Sequence, residues 1–202
     1  MMNVIEKLFR HFALDINKSS TIRQISLETK IPYMTLNRTI KKLEKQNLII
    51  TKKVGKSVVC SLNKDNKITK QHLILASESF KNDFIEKKIL IKKINQIIKE
   101  NKSKEFSAIL FGSYAGGKEQ KHSDIDIAFI SESKEIIKKI LNEFRTIEQI
   151  HDIEVNTMIF TKKQFSEMLK AHEENVGKQI LNNHVILHNP ELFWNIIYEE
   201  FE

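Results

Sequence analysis

The chain has 202 residues, 41% of them hydrophobic with 12 Phe, 5 Gly and 2 Pro, so it can fill packed cores and two small domains and is not a disordered or linker-rich chain. A single Cys60 excludes an internal disulfide framework, and no long uncharged apolar run near the N-terminus suits a signal peptide or membrane span; a cytoplasmic protein without a membrane partner is expected. Of the net charge of +7, residues 1–65 account for more than all, with 13 Lys or Arg against 5 Asp or Glu, which suits either a nucleic-acid-facing module or a Lys-rich solvated surface.

The first segment, NVIEKLFRHFALDI, places Val4, Ile5, Leu8, Phe9 and Phe12 at helical spacing. Ser19, Ser20 and Thr21 are candidate caps for a second helix whose Ile22, Ile25 and Leu27 can face the first. After a break at Ile31, Pro32 suits the first turn of a third helix with Leu36, Ile40, Leu43 and Leu48 as its inward stripe. Tyr33, Thr35, Asn37, Arg38, Lys41 and Lys42 then look outward, and two β-rich runs around Val54, Gly55 and Lys56 form a hairpin with a basic tip.

This order of three helices and a basic hairpin resembles the winged helix-turn-helix family of transcription regulators over residues 1–65. A preformed helix fits the major groove of double-stranded DNA, so Tyr33, Thr35, Asn37 and Arg38 are base-edge candidates. Lys41, Lys42, Lys52, Lys53 and Lys56 are phosphate candidates, contributing affinity and salt dependence more than sequence choice. Many winged-helix proteins pair to read two half-sites, so the resemblance also implies a homodimer.

Residues 66–104 have a helical period without Pro or Gly, with Ile68, Leu73, Leu75, Ile89, Ile91, Ile94 and Ile98 among the apolar positions, and read as a helical linker of one long helix or two. Next, FSAILFGS is a buried strand ending in a tight turn, and DIDIAFI is an alternating strand with Asp124 and Asp126 on one face. Two carboxylates held side by side repel unless a cation joins them, and hard oxygen ligands select Mg²⁺ or Mn²⁺. Gly112 allows backbone approach to a phosphate, and Ser113 offers a hydroxyl and an amide to its oxygens.

Phe111, Gly112, Ser113, a spacer of ten residues and then Asp124, Ile125 and Asp126 resemble the nucleotidyltransferase superfamily related to DNA polymerase beta, in particular its minimal branch. Ala115, Gly117 and Ser123 also agree with that branch; where it often has Arg after the Gly-Ser, this chain has Tyr114 and Gly116, with Lys118 and Lys121 nearby. The resemblance implies an α+β chain: a winged helix-turn-helix over 1–65, the linker over 66–104, and a nucleotidyltransferase domain with a small mixed sheet over 105–202. It implies an NTP substrate, ATP favoured, with Mg²⁺ or Mn²⁺ on Asp124 and Asp126. It further implies a third carboxylate on a neighbouring strand. The alternating segment HDIEVNTMIF offers Glu154, with Asp152 as the other choice, as metal ligand and catalytic base.

The last part reads as one or two helices over KKQFSEMLKAHEENVGKQILNN, a short strand HVILH and a final helix whose Phe193, Trp194, Ile197 and Tyr198 pack inward. Two functions follow. One is an enzyme moving an NMP from an NTP to a protein or RNA hydroxyl while a winged helix binds DNA; related minimal nucleotidyltransferases occur in toxin–antitoxin pairs. The other is a DNA-binding regulator whose second domain binds nucleotide without turnover.

Overall fold

The computed structural model describes residues 2–120 and 123–199, and the chain divides into two compact units, Met1–Phe80 and Lys81–Glu202. In the first unit, α1 (Val4–Ala13) begins at a capping box: Asn3 accepts from the Glu6 N–H and the Glu6 carboxylate accepts from the Asn3 N–H. Leu8, Phe9 and Phe12 form its buried face. β1 (Ser20–Thr21) follows, and Thr21 also caps α2 (Ile22–Thr29) through a second capping box with Gln24. The break before Ile31 is made by Lys30, left-handed at φ 56°.

α3 (Tyr33–Lys45) has Pro32 at its N-cap, one position outside the first turn expected for it, because Pro32 has extended backbone with ψ 134°. The inward stripe Leu36, Ile40, Leu43 and Leu48 is buried. β2 (Ile49–Val54) and β3 (Ser57–Leu62) are joined by a turn of Gly55 and Lys56, and β1 pairs along β3 with Ser20 opposite Cys60, giving the antiparallel order β1–β3–β2. β1 is a strand beyond those read from the sequence; two polar residues carry no alternation to read.

α4 (Lys67–Ile85) runs through the boundary at Phe80, so the stretch 66–104 is divided between the units. α5 (Ile89–Glu100) is the first helix wholly within the second, burying Ile91, Ile94 and Ile98. Ile68, Leu75 and Ile89 are not core as the apolar run suggests, but 51%, 59% and 76% exposed. Leu75 lies two residues from the buried Leu73, which on a helix is the opposite side.

β4 (Phe106–Phe111) is buried at all six positions and leads into α6 (Gly112–Ala115), one short turn. Then come β5 (Ile125–Ser131), α7 (Lys134–His151), β6 (Val155–Phe160), α8 (Lys162–Lys170), α9 (Val176–Asn182), β7 (Val185–His188) and α10 (Pro190–Glu199). Among the described residues they make a mixed sheet in the order β6–β5–β4–β7, with β5 and β6 parallel and the other neighbours antiparallel. A parallel pair needs a crossover, and α7 supplies it. α7 is a further element not assigned above, although Ile137, Ile140, Phe144 and Ile147 give it a regular inward face.

Phe129 lies between Phe106 and Phe144, with ring centroids 6.0 and 6.3 Å away. Phe193, Trp194, Ile197 and Tyr198 are buried, as packing residues should be. Among the described residues no helix is long and apolar enough to cross a membrane, and Cys60 is a buried free thiol.

Candidate functional site

In the second unit, antiparallel pairing sets Phe111 at the end of β4 opposite Asp126 in β5. The chain leaves β4 through Gly112 at φ 68°, a conformation that disfavours a side chain, and a Cβ there would collide with Asp126 Oδ2. The Asp126 carboxylate as placed therefore requires glycine at 112. Asp124 lies one residue ahead of β5 rather than within it, and is exposed. On the other side, parallel register sets Asn156 of β6 beside Asp126, and its Nδ2 donates to Asp124 Oδ2 at 3.2 Å. Burial pushes the Asp126 carboxyl up, a hydrogen bond from Asn156 draws it down and the charge of Asp124 pushes it up again.

Behind this pair, the turn around Gly112 is held by two donors on one carbonyl. Gly116 N–H reaches Gly112 O at 3.2 Å, and Asn183 Nδ2 reaches it at 3.1 Å from the end of α9. Because the peptide is planar and trans, a pinned Gly112 carbonyl aims the following Ser113 N–H the opposite way. Gly116 leaves room for this clamp: a Cβ there would stand 2.9 Å from Asn183 Nδ2. Ser113 is half-buried in α6, Lys118 is exposed and donates its backbone N–H to Ser113 O, and Lys121 lies outside the described residues.

Glu154 and Asp152 come from outside the strand expected to carry them. α7 extends through His151, and Asp152 is its left-handed C-cap at φ 48°, so Asp152 shares no strand face with Asp124 and Asp126. Glu154 immediately precedes β6; its backbone oxygen accepts from Ile125 N–H at 2.9 Å while its side chain is exposed. Both residues line an open cleft of about 630 Å³ with Tyr114, Ser123, Asp124, Glu148 and His151. Among the described residues no three His, Cys, Asp or Glu side chains come together as a metal-holding group.

Asp124 and Asp126 fit a divalent cation nonetheless, since two hard carboxylates lie close enough to feel each other's charge, with an amide donor on Asp124. Asn156 and Asn183 are the site residues not singled out from the sequence. Alternation from Glu154 signals the face of Asn156; nothing local signals Asn183, which acts on a residue 71 positions away.

In the first unit, Tyr33, Thr35, Arg38, Lys41 and Lys42 are exposed on α3 and Asn37 is half-buried. Lys52, Lys53 and Lys56 are exposed on the hairpin, but Lys52 and Lys53 are strand neighbours and project to opposite faces, so one surface cannot take both equally. Tyr33 and Lys56 line a groove of about 580 Å³ together with Arg23 of α2, a cation that sequence reading passed over among the capping residues.

Residues 92–191 match the family model described as Polymerase beta, Nucleotidyltransferase. No curated protein and no solved structure matches the chain.

Proposed function

We propose that this chain, with its polymerase beta-type nucleotidyltransferase domain, moves a nucleoside monophosphate from an NTP, ATP favoured, to a hydroxyl of a protein or RNA. The observation that carries the reading is the fit of Gly112 against Asp126: the turn and the carboxylate pair meet where a Cβ on residue 112 would displace the Asp126 carboxylate. Mg²⁺ or Mn²⁺ held by Asp124 and Asp126 would neutralise charge on the triphosphate. The Ser113 hydroxyl and the N–H aimed outward by the clamped Gly112 carbonyl receive its phosphate oxygens. An acceptor hydroxyl in the cleft attacks the α-phosphorus, the new oxygen–phosphorus bond forms as pyrophosphate leaves, and the exposed Glu154 carboxylate takes the hydroxyl proton.

Label transfer from α-labelled NTP to candidate proteins and RNAs, with Mg²⁺ present, tests this. Labelled product is expected from the native chain and not from Asp124→Ala or Asp126→Ala; equal product from all three would sink the reading.

The first unit is proposed to bind double-stranded DNA as a winged helix, with α3 in the major groove and the β2–β3 hairpin against the backbone. This is supported by the exposed polar face of α3, the order β1–β3–β2 and the basic excess of residues 1–65. A second reading, nucleotide binding without turnover in a DNA-binding regulator, draws support from the lack, among the described residues, of three carboxylates gathered as a metal-holding group.

A further inference from the structure

Resting on the nucleotide-site reading above, we propose that Asn156, and not Glu154, is the third group of the cation site, and that this site takes a single divalent cation. Three observations carry it. Asn156 is the register partner of Asp126 across the parallel β5–β6 pair, so the two side chains stand on one face of adjacent strands. Its amide donates to Asp124 Oδ2 at 3.2 Å from the position beside Asp126, so one neutral group stands against both carboxylates. Glu154 lines the same open cleft as Asp124 with its carboxylate exposed, where an acceptor hydroxyl can reach it.

The chemistry of the amide explains the arrangement. A third carboxylate beside two others would raise their mutual repulsion, whereas a carboxamide lowers it by donating N–H. The same side chain carries an oxygen of the kind that divalent hard cations accept, so it can serve the site in both states. Two carboxylates and a neutral amide bring a charge that one divalent cation balances, and a second cation would have no protein carboxylate of its own. Glu154 is thereby left for the acceptor's proton and is not a cation ligand.

The test is titration of the full chain with Mn²⁺, followed by the EPR signal of free Mn²⁺, alone and with a non-transferable ATP analogue. With the analogue, the native chain is expected to saturate at one Mn²⁺. The nearly isosteric Asn156→Asp is expected to take two and to bind the first at least about tenfold more tightly. Asn156→Leu should weaken uptake about 10- to 100-fold, and Glu154→Gln should leave number and affinity unchanged. Two Mn²⁺ on the native chain, loss of one in Glu154→Gln, or an Asn156→Asp variant indistinguishable from native would overturn the proposal. If the native chain takes up neither Mn²⁺ nor the analogue, the nucleotide-site reading falls with it; if it takes up both while the Asn156 variants behave as native, this inference falls alone.

Discussion

Gly112 is held in place by two separate demands, its φ of 68° and the carboxylate of Asp126 where a Cβ would be. Gly112→Ala is therefore expected to cost about 1–3 kcal/mol of stability and to abolish Mn²⁺-dependent ATP binding, because the aspartate must swing aside. Chemical denaturation and calorimetric titration measure the two effects; a variant with native affinity would separate the glycine from the aspartate. Asp126 illustrates the opposite cost, a functional group that the fold tolerates. Its carboxyl is raised by burial and by Asp124, so the folded chain holds that proton more tightly than the unfolded one. Stability is then fully kept below the ordinary carboxyl range and lost as pH rises through it toward the raised folded value. Without divalent cation, Asp126→Asn should be more stable than native at neutral pH, and the gap should close toward acid. A gap that widens toward acid contradicts this sign. At this scale, Gly112, Ser113, Asp124 and Asp126 were legible because strand alternation and turn chemistry are local. Asn156 and Asn183 were not, since an amide has a role only once a register or a distant turn supplies its partners.

The helices and strands of the first unit follow their sequence period closely where burial is one-sided. Leu36, Ile40 and Leu43 face inward as the spacing of α3 demands, and Leu36→Ala should cost about 2–5 kcal/mol in an unfolding titration. A loss under about 1 kcal/mol would mean that this face is not core. Boundaries were harder to read than periods. Asp152 fits a strand by alternation, yet the helical period of α7 runs through His151 and leaves Asp152 to end the helix in the left-handed region. Alternation over a few residues cannot say where the preceding helix stops. Likewise the apolar run of 66–104 reads as continuous, but α4 and α5 each choose their own inward face, which exposes Leu75 and Ile89.

For the whole molecule, the division into two units parallels the division of charge, with the basic excess confined to residues 1–65. Duplex DNA binding should fall steeply with salt, and Arg38→Ala should weaken it. If Arg38 reads a base edge, its loss should cost about 1–3 kcal/mol and relax the sequence preference; a lysine phosphate contact such as Lys41 should instead reduce the salt slope by about 1. Salt-independent binding would rule out phosphate contacts. The mixed α+β architecture was legible from the order of periods along the chain, whereas the sheet order β6–β5–β4–β7 was not, because pairing depends on the α7 crossover and the long return to β7. The most direct measurement is a crystal structure of the chain with ATP and Mn²⁺. The expected result is anomalous Mn²⁺ density on the Asp124 and Asp126 carboxylates with the triphosphate on the Gly112–Ser113 turn; nucleotide and Mn²⁺ bound away from those four residues would contradict it.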